Sequence, residues 1–180
     1  LFLKSCVEEA GAIPTVMDIG ILGTPNFEPD YSKHDVAAAA NSSNEAIIAL
    51  GNENLAMTRQ AEGAAFLTHS LQQSGKIDGV LAIGGTRATD LARDGVAVLP
   101  LGFPKLIAST VAHSPLLPPH RISADVMMIL WSGGLYGLNP ICQSILRQAA
   151  NAIVGACQFS KQSKAERPIV GISTLGKSLS

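Results

Sequence analysis

Apolar positions recur along this chain in two rhythms, one helical and one strand-like. At the start, Leu3, Val7 and Ala10 repeat at helical spacing, and Gly11 stands where a left-handed residue closes such a helix. Ile13 to Ile19 then reads as a strand, and the Gly/Pro/Asn-rich stretch from Gly20 to Tyr31 reads as a loop. Ser32 and Asp35 have the spacing of a capping box, with Asp in place of Glu, and open a short alanine-rich helix. A turn at Asn41 to Asn44 leads into a small helix through Leu50. Asn52 to Gln73 predicts a long amphipathic helix carrying Leu55, Ala56, Ala64, Phe66, Leu67 and Leu71, ended by Gly75.

Beyond that point the apolar runs shorten. Gly79 to Ile83, Pro104 to Ser109 and Asp125 to Leu130 predict strands, while Thr89 to Val98 and Leu138 to Cys157 predict helices. Val111 to Ser123 is a proline-containing loop. A polar linker from Gln158 to Arg167 leads to the strand-like Ile169-Val-Gly-Ile172. Strands alternating with helices predict an α/β protein with a mainly parallel sheet covered on both faces.

Composition narrows the classes. A net charge of −1 with 15% charged residues leaves no basic footprint for nucleic acid, and 4% aromatics offers no stacking platform. No segment has the apolar length of a membrane span, and the N-terminal stretch reads as helix interior rather than a leader. Cys6, Cys142 and Cys157 are odd in number and far apart, which predicts reduced thiols in a cytoplasmic protein rather than disulfides or a zinc site.

The most informative segment is Asp78-Gly-Val-Leu-Ala-Ile-Gly-Gly-Thr-Arg-Ala-Thr89. A strand that stops at two glycines turns sharply, and the helix that follows presents unpaired amides and its positive dipole end, where an anion can sit. Ser109 and Thr110 end the next strand, and in a parallel sheet they lie beside that turn. His113, Asp18, Asp125 and Asn139 are further candidates, each with an ordinary reading as a loop, strand-end or capping residue. Gly171-Ile-Ser-Thr-Leu-Gly176-Lys177-Ser178 matches a phosphate-loop pattern formally. The sequence runs only two residues past it, short of the helix such a loop needs, so a polar turn is the preferred reading. No catalytic triad, carboxylate pair or metal cluster stands out.

Six segments in series carry a resemblance: Val16-Met-Asp-Ile-Gly20, Asp78 to Gly85, Leu99-Pro-Leu-Gly-Phe-Pro-Lys105, Ser109-Thr-Val-Ala112, Gly137-Leu-Asn139 and Ala149-Ala-Asn-Ala-Ile-Val-Gly155. Together they resemble the Tm-one-like ATP-binding family, formerly an uncharacterised protein family, which takes in the inhibitory domain of a tomato mosaic virus resistance protein. The resemblance implies a Rossmann-like three-layer sandwich within a two-subdomain protein. Residues 1–160 would form the first subdomain, lacking its first strand, and 161–180 a linker and the first strand of the second. It also implies ATP at a glycine-pair loop, with magnesium a possible companion.

The family loop runs Gly-Gly-Ser-Gly-Gly-Thr. Here Gly84, Gly85 and Thr89 match, Thr86 replaces serine, and Arg87 and Ala88 replace the later glycines. The family's Gly-Asp-Arg before the long helix appears as Gly51-Asn52-Glu53, its aspartate before Gly-Leu-Asn as Gly134, and its Ser-Gly after Ser-Thr-Val-Ala as His113-Ser114. The expected ligand is a nucleotide or small phosphorylated molecule held by Gly84, Gly85, Thr86, Arg87, Thr89, Ser109 and Thr110, in a homo-oligomer. Two other classes stay open: an enzyme acting on a small phosphorylated or carboxylated metabolite, and a protein-interaction module.

Overall fold

In the computed structural model, residues 2–115, 117, 122–131 and 137–159 are described. Among the described residues nine elements follow one another: α1 (Phe2–Glu9), α2 (Lys33–Ala39), α3 (Asn44–Ala49), α4 (Glu53–Gln73), β1 (Val80–Gly84), α5 (Thr86–Ala97), β2 (Lys105–Ser109), β3 (Val126–Leu130) and α6 (Pro140–Phe159). The strands form one parallel sheet in the order β1-β2-β3. Their register is level: Val80, Lys105 and Val126 make the first row, and Gly84, Ser109 and Leu130 the last.

The central strand explains the layering. Every residue of β2 is buried, as expected of a strand covered on both faces. On one face Ile107 packs against Ala92 and Val96 of α5 and against Leu99 and Phe103, with Val80, Ala82, Val126 and Met128 beside it. On the other, Leu106 and Ala108 meet Ala149, Ile153 and Val154 of α6, with Val7 of α1 alongside. The result is a three-layer α/β sandwich of Rossmann-like type.

Local chemistry sets the helix boundaries. Ser32 Oγ accepts from the Asp35 amide while Asp35 Oδ2 accepts from the Ser32 amide, completing the capping box with the shorter acid. Asn52 caps α4 through a 3.1 Å bond from the Leu55 amide, and Asn139 caps α6 through a 2.9 Å bond from Cys142. Gly11 closes α1 at φ +92°, as its position predicts. Gly63 lets α4 approach α2 closely, since a Cβ there would run into the Val36 carbonyl.

Two expectations are corrected. Ile13 to Ile19 forms no strand: one bridge joins Met17 to Tyr31, and Ile13 is 96% exposed. An alternating pattern makes a strand only where a neighbour supplies ladder partners, and here the loop at Asp18 and Tyr31 takes the hydrogen bonds instead. The helix read from Thr89 begins three residues earlier, because Gly85 is extended and itself serves as the N-cap. The phosphate-loop match at 171–178, Gly134, and the linker and strand expected at 161–180 lie outside the described residues.

Candidate functional site

β1 delivers Gly84 and Gly85 to the carboxyl edge of the sheet, next to the end of the central strand. Gly84 pairs with Ser109, and the Gly84 carbonyl accepts from the Thr110 amide at 3.1 Å. Gly84 is needed sterically: a Cβ there would collide with the Ala88 methyl. Gly85 is the N-cap of α5 at φ −82°, ψ −164°, with no side chain capping the first turn. The amides that open an α-helix have no partners within it, so this turn presents donors together with the positive end of a 12-residue helix.

Two of the expected ligand contacts are turned inward. Thr89 is 1% exposed and Ser109 0%. Thr89 Oγ1 donates to the Gly85 carbonyl at 2.8 Å and lies 2.6 Å from Ser109 Oγ, which accepts from the Val111 amide at 3.1 Å. A threonine hydroxyl has one proton, and the Gly85 carbonyl only accepts, so Ser109 must donate to Thr89. The chain of bonds therefore has one direction, from Val111 N–H through Ser109 and Thr89 to the Gly85 carbonyl. Both hydroxyl protons are committed to holding the loops together. Thr86 and Arg87 are exposed and Gly85 and Thr110 half-buried, so the outward-facing part of the site is backbone amide, the Thr86 and Thr110 side chains, and one guanidinium.

Arg87 is not idle. It forms an ion pair with Glu53, in the first turn of α4. Farther along, Gly95 faces Ala64, so α4 and α5 run side by side in the same sense with their N-termini together. Glu53 entered the sequence reading only as a departure from a familial arginine, and its contact with Arg87, 34 residues away, was not foreseen.

Other candidates fall elsewhere. Asp125 lies at the opposite, amino edge of the sheet, 2.5 Å from the Nζ of Lys105, a buried cation that sequence reasoning passed over. Burial pushes the Asp125 pKa up, but the bonds from Lys105 and the Gly102 amide, with the Lys105 charge, outweigh it and hold the carboxyl below its ordinary value. Asn139 is a helix cap. His113 sits in an exposed turn after β2 at φ +63°. Asp18 accepts from the Gly20 amide and borders an open concavity of about 550 Å³ lined also by Phe27, Glu28, Lys33 and His34. None of its lining residues belongs to the glycine turn. Its Lys33 ammonium already donates to the Gly23 carbonyl, and its carboxylates disfavour an anion, so the turn is the better candidate for phosphate.

The three cysteines are free thiols; burial raises the pKa of Cys6, and burial with the nearby Asp78 charge raises that of Cys157. Among the described residues no group of three His, Cys, Asp or Glu side chains is placed to hold a metal, and no helix is long and apolar enough to cross a membrane. A magnesium ion carried on phosphate oxygens and water would need no such protein cluster.

Residues 1–162 match the model of an uncharacterised protein family, the UPF0261 N-terminal domain. The chain belongs to the UPF0261 family. A UPF0261 protein of Brucella suis is 54% identical over 178 residues, covering 99% of this chain and 43% of the relative. UPF0261 proteins of Rhizobium meliloti and Clostridium tetani are 30% and 29% identical, again over 43% of their length. The chain thus spans less than half the length of these UPF0261 relatives. The match bears out the resemblance at the level of an uncharacterised protein family, the UPF0261 family.

Proposed function

We propose that this chain is a nucleotide-binding domain, with the phosphates of a ligand such as ATP at the Gly84-Gly85 turn. One observation carries the reading: α5 starts on a glycine with no side-chain cap, at the carboxyl edge of a parallel sheet and beside its central strand. In open α/β sheets that edge is where ligands bind, and an uncapped helix start favours negative charge. The Tm-one-like resemblance supports the nucleotide over other anions. In this reading the amides after Gly85 receive the phosphate, Arg87 supplies charge, and Thr86 and Thr110 supply outward hydroxyls. Thr89 and Ser109 act indirectly, by fixing the loop. No reaction is assigned.

The test is a thermal-shift titration of the intact protein with ATP, ADP, AMP and NAD, with and without magnesium, in wild type and Gly85→Asp. Ligand at about 100 times its Kd adds ~2.7 kcal/mol to stability, a readily measured shift. Gly85 has a φ open to any residue, and aspartate is a preferred N-cap, so the variant should fold at least as well. Its carboxylate about 5 Å from a phosphate costs ~3 kcal/mol at an effective dielectric near 20, which weakens binding by roughly 100-fold. Saturable nucleotide binding that Gly85→Asp leaves unchanged would place the phosphates elsewhere.

A further inference from the structure

We infer that Glu53 is an internal competitor for the phosphate, clasping Arg87 until an anionic ligand takes its place. The inference rests on the phosphate reading of the Gly85 turn and adds its regulation. Glu53 and Arg87 each stand in the first turn of a helix, α4 and α5, and pair across the gap between them. Because the two helices run in the same sense, two positive dipole ends and a guanidinium converge there, and the Glu53 carboxylate is the counter-charge recorded at that place. A ligand phosphate seeks the same donors.

The exchange is easy. The side chains are 69% exposed at Arg87 and 53% at Glu53, so releasing the pair strands no buried charge and calls for no backbone movement. Glu53 also keeps a favourable place when displaced, since it remains in the first turn of its own helix, whose cap is supplied separately by Asn52. The acidic side chains nearest along α5, Asp90 and Asp94, face Arg93 instead. Glu53 is therefore the carboxylate that ligand must replace at Arg87.

Isothermal titration of the intact protein with inorganic pyrophosphate and with ATP, at low salt, tests this in wild type, Glu53→Gln, Arg87→Gln and the double variant. Both substitutions are at exposed positions, so the fold is expected to hold. Glu53→Gln should tighten pyrophosphate by about two- to five-fold, the range open to an exposed ion pair. The gain should fade as salt is raised and vanish in the Arg87→Gln background. Binding with no gain overturns the clasp alone, as does an equal gain in the Arg87→Gln background, which would mark Glu53 as a distant repulsive charge. Failure of both probes to bind any variant at millimolar concentration overturns the phosphate reading of the turn, and the clasp with it.

Discussion

Removing the Asp125 carboxylate should cost far more than its place at the start of an edge strand suggests. Lys105 opens the central strand and is 1% exposed, with its Nζ 2.5 Å from Asp125 Oδ2. The same oxygen accepts from the Gly102 amide at 2.8 Å. In Asp125→Ala the ammonium keeps its burial and loses its counter-charge, a loss of about 3–5 kcal/mol. That is a large part of the roughly 5–15 kcal/mol that holds a domain folded. Lys105→Met leaves an unbranched apolar chain in the same space, and the Asp125 carboxylate keeps the Gly102 amide and partial access to water, so it should cost less than Asp125→Ala. The double variant should be more stable than Asp125→Ala alone. Urea denaturation of the four proteins at neutral pH supplies the cycle. A pH series supplies a second readout. The folded pKa of Asp125 is depressed, so its stabilisation is complete above the unfolded value of about 3.9 and is lost as pH falls through the folded one. The acid limb of the stability curve should therefore flatten in Asp125→Ala. Additive costs in the cycle, or an unaltered acid limb, would refute the buried-pair reasoning.

Two further outcomes follow from close contacts. Gly63→Ala, which in a free helix interior gains up to ~1 kcal/mol, should here destabilise by about 2–3 kcal/mol because the new methyl meets the Val36 carbonyl, as thermal unfolding would show. Ser109→Ala leaves the Val111 amide without its acceptor and Thr89 without its donor, so unfolding measurements should register a loss of about 1–3 kcal/mol. Nucleotide affinity should fall with it if the relay fixes the loop.

The three strands and the long helices were legible because their apolar runs answer to local rules. Leu106, Ile107 and Ala108 read as a buried strand whatever surrounds them, and Ser32 and Asp35 announce a helix start within four residues. Ile13 to Ile19 failed for the opposite reason: whether an alternating stretch becomes a strand depends on a neighbour that the local pattern cannot name. The glycine turn was readable as the junction of a strand and a helix, since Gly84 and Gly85 follow directly on an apolar run. The burial of Lys105 was not, because lysine is ordinarily a surface residue and its partner lies 20 residues away. The direction of the Ser109–Thr89 bond emerges only when donors are counted in three dimensions.

The level register of the sheet has a wider consequence. Its rows are five residues deep, from Val80, Lys105 and Val126 at the base to Gly84, Ser109 and Leu130 at the rim. Four steps of about 3.3 Å separate the two ends by roughly 13 Å, a span over which the opposite charges of the Lys105–Asp125 pair largely cancel. The base carries the ionic anchor of the fold, and the rim carries the candidate ligand chemistry. Changes at one end are thus electrically insulated from the other, which lets the rim of such a domain diversify while its foundation stays fixed. Exchanging rim loops among relatives should then alter what is bound and leave the unfolding midpoint nearly where it was.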